Sequence, residues 1–144
     1  MSHSSMPNPD CLFCKIAAKK IPAYVIYEDD HAMAFLDIMP RTTGHTMVIP
    51  KEHAPTIVAL PDDEVEPLFL AVKKVNELLS RTLNPDGMTI GMNQGRASGQ
   101  EVDHLHVHLL PRWHGDKGGA IQSVVNQKPE ESVEEIRKKI VAGL

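Results

Sequence analysis

Residues 104 to 110 read HLHVHLL, three histidines on alternate positions with aliphatic residues between and after them. No other stretch restricts the fold so strongly. A period of two belongs to an extended strand, whose successive side chains leave opposite faces, so one face here is imidazole and the other aliphatic. A helix would scatter the three rings around its circumference. Along a strand rising ~3.3 Å per residue, adjacent rings on one face stand roughly 6.6 Å apart, and the outer pair roughly 13 Å. Metal ligands bring their nitrogens within about 2.1 Å of one ion, so three rings in this arrangement cannot share one. The pattern therefore implies a division of labour in which His106 works on a substrate while His104 and His108 do other jobs. Neutral imidazole is a competent nucleophile near neutral pH. For its Nε2 to attack, Nδ1 must carry the proton and donate it to an acceptor.

The chain around this segment has 144 residues, enough for one domain with a real core. A net charge of −4 argues against a nucleic-acid binder, which would show a basic face. No apolar run approaches a membrane span, and MSHSSMPNPD has neither the basic nor the apolar region of a secretory signal, so no membrane partner and a cytoplasmic address are expected. Residues 1–10, rich in Ser, Pro and Asn, read as a flexible tail.

Periodicity sketches the rest. Leu12, Phe13 and Ile16 suggest a short helical turn within 11–20. Strands are expected at 24–29, 31–37 and 45–50, in an antiparallel meander. The segment 60–83 carries Val65, Leu68, Phe69, Val72, Val75 and Leu79 on one stripe of a long helix, which NPDG at 84–87 ends. A fourth strand follows at 88–93, then a Gly-bearing loop at 94–103 that leads into the histidine strand. Ser132 and Glu135 form a capping box for a last helix running to about Val141. The expectation is an α+β domain, an antiparallel sheet of about five strands covered by one long helix. It occupies 11–112, with a C-terminal extension at 113–144 whose short helix packs on the same domain.

HLHVHLL resembles the signature of the histidine triad (HIT) superfamily, and the likeness continues outside it. FLDIMPRTTGHTMVIPKEH, at 35–53, is similar to that family's strand, loop and strand, and NQGRASGQEVDHLHVHLLPR, at 93–112, to its phosphate loop and catalytic strand. The resemblance runs from about Asp10 to Arg112 and is closest to the Hint-like branch, whose members are nucleotide hydrolases and transferases. It implies that His106 forms a nucleotidyl intermediate, that His108 contacts the phosphate, and that His45 and His104 form a supporting hydrogen-bond chain. It also implies that Asp37 accepts the ribose hydroxyls, that Phe13, Ile16, Phe35 and Ile38 enclose the base, and that Asn93, Gln100 and the amides around Glu101 and Val102 line the phosphate pocket. A carboxylate can accept two hydroxyl protons and a purine suits an apolar slot, so these assignments are chemically coherent. Taken singly, each apolar residue among them reads as ordinary core. Relatives often carry Ser or Thr where Glu101 stands; an ionised carboxylate there would repel a phosphate, so its amide is the expected contact.

The two cysteines, Cys11 and Cys14, are spaced C-x-x-C. In a reducing compartment this reads as a metal half-site or a redox pair, though the βαβ context of a thioredoxin is missing, and two reduced thiols packed as small hydrophobes remain the alternative. Spacing selects no partners among the eight histidines. Resemblance to cysteine-bearing bacterial HIT proteins does: it implies His53 and His104, completing a structural zinc site. The activity implied is hydrolysis of a purine nucleoside monophosphate (AMP or GMP) from a phosphoramidate or related derivative, by a homodimer with a continuous sheet. The competing readings are a dinucleoside polyphosphate hydrolase or phosphorylase and a nucleotide-binding interaction module with incidental turnover.

Overall fold

The computed structural model describes residues 8–144. The tail expected at 1–10 lies outside them except for its last three residues. These form an exposed turn in which the Asn8 carbonyl accepts from the Cys11 amide at 3.0 Å.

Five strands form one antiparallel sheet: β1 (Val25–Glu28), β2 (Ala32–Leu36), β3 (Thr46–Pro50), β4 (Gly87–Gly91) and β5 (Val107–Arg112), in the spatial order β1-β2-β3-β5-β4. The first three make the expected meander. The last two form a hairpin whose second strand inserts beside β3, with Met47 opposite His108 and Thr46 opposite Leu109. That placement brings residues about 60 positions apart in sequence onto neighbouring strands.

The helix α2 (Asp62–Leu83) covers one face of the sheet. Leu68, Ala71, Val72, Val75 and Leu79 pack on Ala32, Ala34, Val48, Val107 and Leu109, all buried. Phe69, expected on this stripe, is instead exposed, because the buried arc of the helix includes Ala71 on the side away from it. The helix ends where Asn84 adopts φ 51°, a left-handed conformation that asparagine tolerates. Alternation along β2 and β3 then sends Met33, Phe35 and Ile49 to the opposite face, where α1 (Leu12–Ala17) contributes Cys11, Phe13, Cys14 and Ile16 to a second, smaller apolar cluster. The histidines belong to this face.

Two expectations need correction. The strand ladder begins at Val107, so His104 and His106 precede β5. The Leu105 amide donates at 2.7 Å to the Ala54 carbonyl, which draws the chain out of the sheet before the ladder starts. The C-terminal helix α3 (Val133–Ala142) is capped as expected, Ser132 Oγ accepting from the Glu135 amide, yet it buries none of its residues. The extension meets the domain nearer its start, where the Arg112 guanidinium donates to Asp116 and to the Gly119 carbonyl.

Candidate active site and metal centre

Donor and acceptor bookkeeping fixes the protons on the face opposite α2. His106, 8% exposed, has Nδ1 2.7 Å from the His104 carbonyl. A carbonyl only accepts, so Nδ1 carries the proton and Nε2 bears a lone pair. The ring is held further by Phe13, edge-on with centroids 5.2 Å apart. His45 is fixed in the other sense: its Nδ1 accepts the Arg41 amide at 3.2 Å, so its proton sits on Nε2, which donates at 2.9 Å to His108 Nδ1. His108 must then be protonated on Nε2. Among the described residues, neither His106 Nε2 nor His108 Nε2 has a hydrogen-bond partner. The two rings, centroids 5.0 Å apart, thus present one nucleophilic lone pair beside one N–H donor.

His45 reaches His108 because it lies two residues before Met47, the partner of His108 across the ladder, and diagonal neighbours on one sheet face come within reach of long side chains. The expected hydrogen-bond chain of His45 with His104 is not formed. His104 faces the other way, its Nε2 donating to the Pro50 carbonyl at 2.8 Å and its Nδ1 turned to the cysteines.

Burial disfavours the charged form of His108 and of His45. It pushes His108 down to about 4, helped by the neighbouring His106 and His45 rings, and lowers His45 despite the nearby Asp37 carboxylate. Because the folded value of His108 lies below that of the unfolded chain, its contribution to stability is complete above about pH 6.5 and is lost as pH falls toward 4. Allowing for partial exposure of the ring, that loss is about 2 kcal/mol. Urea titrations at pH 7 and pH 4 should therefore differ by about that much less in His108→Leu than in the native chain; an identical difference in both would contradict the assignment.

Asp37 follows β2, with Oδ1 accepting the Met39 amide at 2.8 Å and Oδ2 3.6 Å from His45 Nε2. Phe13, Ile16 and Phe35 are buried, while Ile38 is 78% exposed at the rim. The loop before His104 turns at Gly95 and Gly99, whose φ of 84° and 102° suit glycine. Gln100 needs reassignment: its side chain is buried, with Nε2 donating to the Pro55 and Val102 carbonyls and Oε1 accepting the Gly95 amide. It shapes the loop and has no group left for a phosphate. Asn93 and Glu101 are exposed, Val102 is half-buried, and among the described residues no hydrogen bond occupies the amide of either Glu101 or Val102. Sequence reasoning missed Arg41 and Pro50, which act through backbone groups that set two tautomers, and Arg96, whose guanidinium donates to the Gln100 and Glu101 carbonyls. Backbone contacts of this kind leave no mark in composition or spacing.

Cys11, Cys14, His53 and His104 lie close together in a set able to bind a metal ion. The distances His104 Nδ1 to Cys11 Sγ 3.4 Å and to Cys14 Sγ 3.5 Å, His53 Nδ1 to Cys14 Sγ 3.3 Å, and His53 Nδ1 to His104 Nδ1 3.2 Å are near the edges of a tetrahedron. With metal bonds of about 2.0–2.3 Å those edges are roughly 3.3–3.8 Å. The proton of His104 is committed to Pro50, so its Nδ1 lone pair points at the others, and a cation is the natural occupant of that point. A second set, Asp37, His45 and His108, is equally close. It does not fit an ion, since the Arg41 amide forces the proton of His45 onto the nitrogen that would ligate.

Comparison with known proteins agrees with this architecture. Residues 18–115 match the model of the HIT domain. The chain is 48% identical over 118 residues to an uncharacterized HIT-like protein of Methanocaldococcus jannaschii, covering 79% of this chain and 91% of that one. It is 34% identical over 113 residues to the adenylylsulfatase HINT3 of Arabidopsis thaliana, covering 78% of this chain and 57% of that protein. The crystal structure of a HIT family member from Bacillus subtilis superposes with a TM-score of 0.82 at 35% identity, covering 94% of this chain and 97% of the other. In sequence and in fold alike, this chain belongs to the HIT domain family.

Proposed function

We propose that the protein is a nucleotide hydrolase that releases a purine nucleoside monophosphate from a phosphoramidate or related derivative through a nucleotidyl group on His106. The observation that carries this reading is the 2.7 Å hydrogen bond from His106 Nδ1 to the His104 carbonyl, which leaves Nε2 as a lone pair. That lone pair attacks phosphorus, the bond to the leaving group breaks, and the Nε2–H of His108 protonates the departing amine. Water then attacks the same phosphorus and gives its proton to His108 Nε2, replacing the one passed to the amine, while the N–P bond breaks and the monophosphate leaves. Asp37 receives the ribose hydroxyls, Phe13, Ile16 and Phe35 wall the base with Ile38 closing the rim, and Asn93 with the amides of Glu101 and Val102 receives the phosphate oxygens.

The metal in this reading is a structural zinc on Cys11, Cys14, His53 and His104, a closed set of four protein ligands with no position for water. A homodimer is part of the same reading. The edge strand β4 exposes Ile90, and α2 exposes Phe69 and Leu70, apolar surface that a second copy would cover. Sedimentation at twice the 15.9 kDa chain mass is expected, and a monomer at micromolar concentration would contradict it.

The relative with an adenylylsulfatase name favours a second leaving group, sulfate, on the same nucleophile. Turnover of an adenosine phosphoramidate, adenylyl sulfate and diadenosine tetraphosphate, measured side by side, separates the readings. Release of AMP from the phosphoramidate at the highest kcat/KM is expected; preference for the tetraphosphate would overturn it in favour of a dinucleoside polyphosphate hydrolase.

A further inference from the structure

Two groups of His104 serve two different machines. Its ring nitrogen Nδ1 faces the two thiols and His53 within 3.2–3.5 Å, while its backbone carbonyl is the acceptor that fixes His106. The link is short and has no slack: only Leu105 separates the two histidines, and neither lies in the strand ladder that begins at Val107. What holds residues 104–106 is instead the Leu105 amide on Ala54, the His104 Nε2–H on Pro50, and the cluster itself. A second route runs through α1. Phe13, the residue before Cys14, lies edge-on to His106 at 5.2 Å and to His104 at 5.9 Å, so the helix that supplies one thiol also walls the nucleophile.

Helix α1 has only six residues, too few to be stable alone. Its tie to the rest of the fold is the apolar cluster with Phe35 and Ile49, together with the thiols. The cluster thus fastens three separate chain segments, 11–14, 53 and 104, around the acceptor of the His106 proton.

We propose that the ion held by Cys11, Cys14, His53 and His104 positions the nucleophile, by locking the His104 carbonyl and the Phe13 ring against His106, so that turnover depends on metal occupancy although the ion never meets substrate. His104 is then a positioning residue, and so are the two cysteines. The proposal rests on His106 as nucleophile for its kinetic consequence, but its structural half does not. An outer-sphere group of this kind supplies a factor of about 10–100 in activity.

The test uses the whole chain, stripped of metal by chelation and then reloaded with Zn2+, with two readouts. The first is the 15N spectrum of the His106 ring, which reports whether the proton stays on Nδ1. The second is kcat and KM for an adenosine phosphoramidate. In the stripped protein the His106 ring should become a mixture of tautomers and kcat should fall about 10–100-fold, with KM changed less than about threefold, and Zn2+ should restore both. Stripped, folded protein with an unchanged His106 spectrum and unchanged kcat would overturn the proposal. If His106→Asn still turns over substrate, the nucleophile assignment fails instead, and the ring spectrum of the native chain continues to decide the coupling. Should chelation unfold the domain, Cys11→His keeps four donors and Cys11→Ser does not. Retained ion and turnover in Cys11→His, with both lost in a folded Cys11→Ser, supports the coupling, whereas full turnover in a metal-free Cys11→Ser contradicts it.

Discussion

His106→Asn should lose at least about 10⁴-fold in kcat while nucleotide affinity stays within a few fold. An Asn amide is small enough for the pocket walled by Phe13 and can still donate to the His104 carbonyl, so the surroundings need not move. What it lacks is the second nitrogen, whose lone pair among the described residues is unoccupied and placed beside the Nε2–H of His108. Without it no covalent intermediate forms, and the reaction falls back on direct attack by water aided only by binding and charge stabilisation. Single-turnover hydrolysis of an adenosine phosphoramidate and equilibrium binding of AMP to the same preparation make the comparison. Turnover within tenfold of the native enzyme would remove His106 from the chemistry.

The second large effect concerns His108, and its size should depend on the leaving group. An amine leaves poorly unless protonated, so the Nε2–H that the His45 to His108 bond fixes has a proton to deliver in phosphoramidate hydrolysis. Sulfate leaves readily as an anion and needs none. His108→Leu is therefore expected to cost about 10²–10⁴-fold in kcat on the phosphoramidate, and markedly less on adenylyl sulfate. The same variant leaves the proton of His45 facing an apolar side chain, with Asp37 Oδ2 at 3.6 Å as its nearest acceptor. Equal losses on both substrates would mean that His108 stabilises charge on the phosphate and does not act as the acid.

Elements with strong local signals were legible in the sequence. The alternation of β2 and β3, the stripe of α2 and the Ser132 cap are written in spacing of two or three to four residues, and the structure places them within about two residues of expectation. Where the reading slipped, non-local contacts intervened. The alternation of His104, Leu105 and His106 looks like strand, yet the Leu105 amide finds Ala54 before the ladder with β3 can begin. Phe69 has the right spacing for the core, but the buried arc on α2 runs through Leu68, Ala71, Val72, Val75 and Leu79 and leaves Phe69 exposed.

The site divides the same way. That His106 needs an acceptor for its Nδ1 proton follows from imidazole chemistry, but that the acceptor is the carbonyl two residues earlier follows only from the fold. The pairing of His45 with His108 depends on the register of β3 against β5, which no short window of sequence contains. Gln100 carries the functional groups a phosphate contact would need; only its bonds to Pro55, Val102 and Gly95 show that they are already engaged. The partners of Cys11 and Cys14 stand 39 to 93 residues away, so spacing alone could not choose them.

The chemistry proposed above passes through one bond, between His106 Nε2 and a nucleotide's phosphorus. Quenching the enzyme in acid-free denaturant during turnover of a 32P-labelled adenosine phosphoramidate, followed by proteolysis and mass spectrometry, locates that bond directly. The account predicts an adenylyl group on the peptide containing His106, attached to Nε2 of that residue. Label on another side chain, or a burst of AMP with no labelled protein at any time, would contradict it.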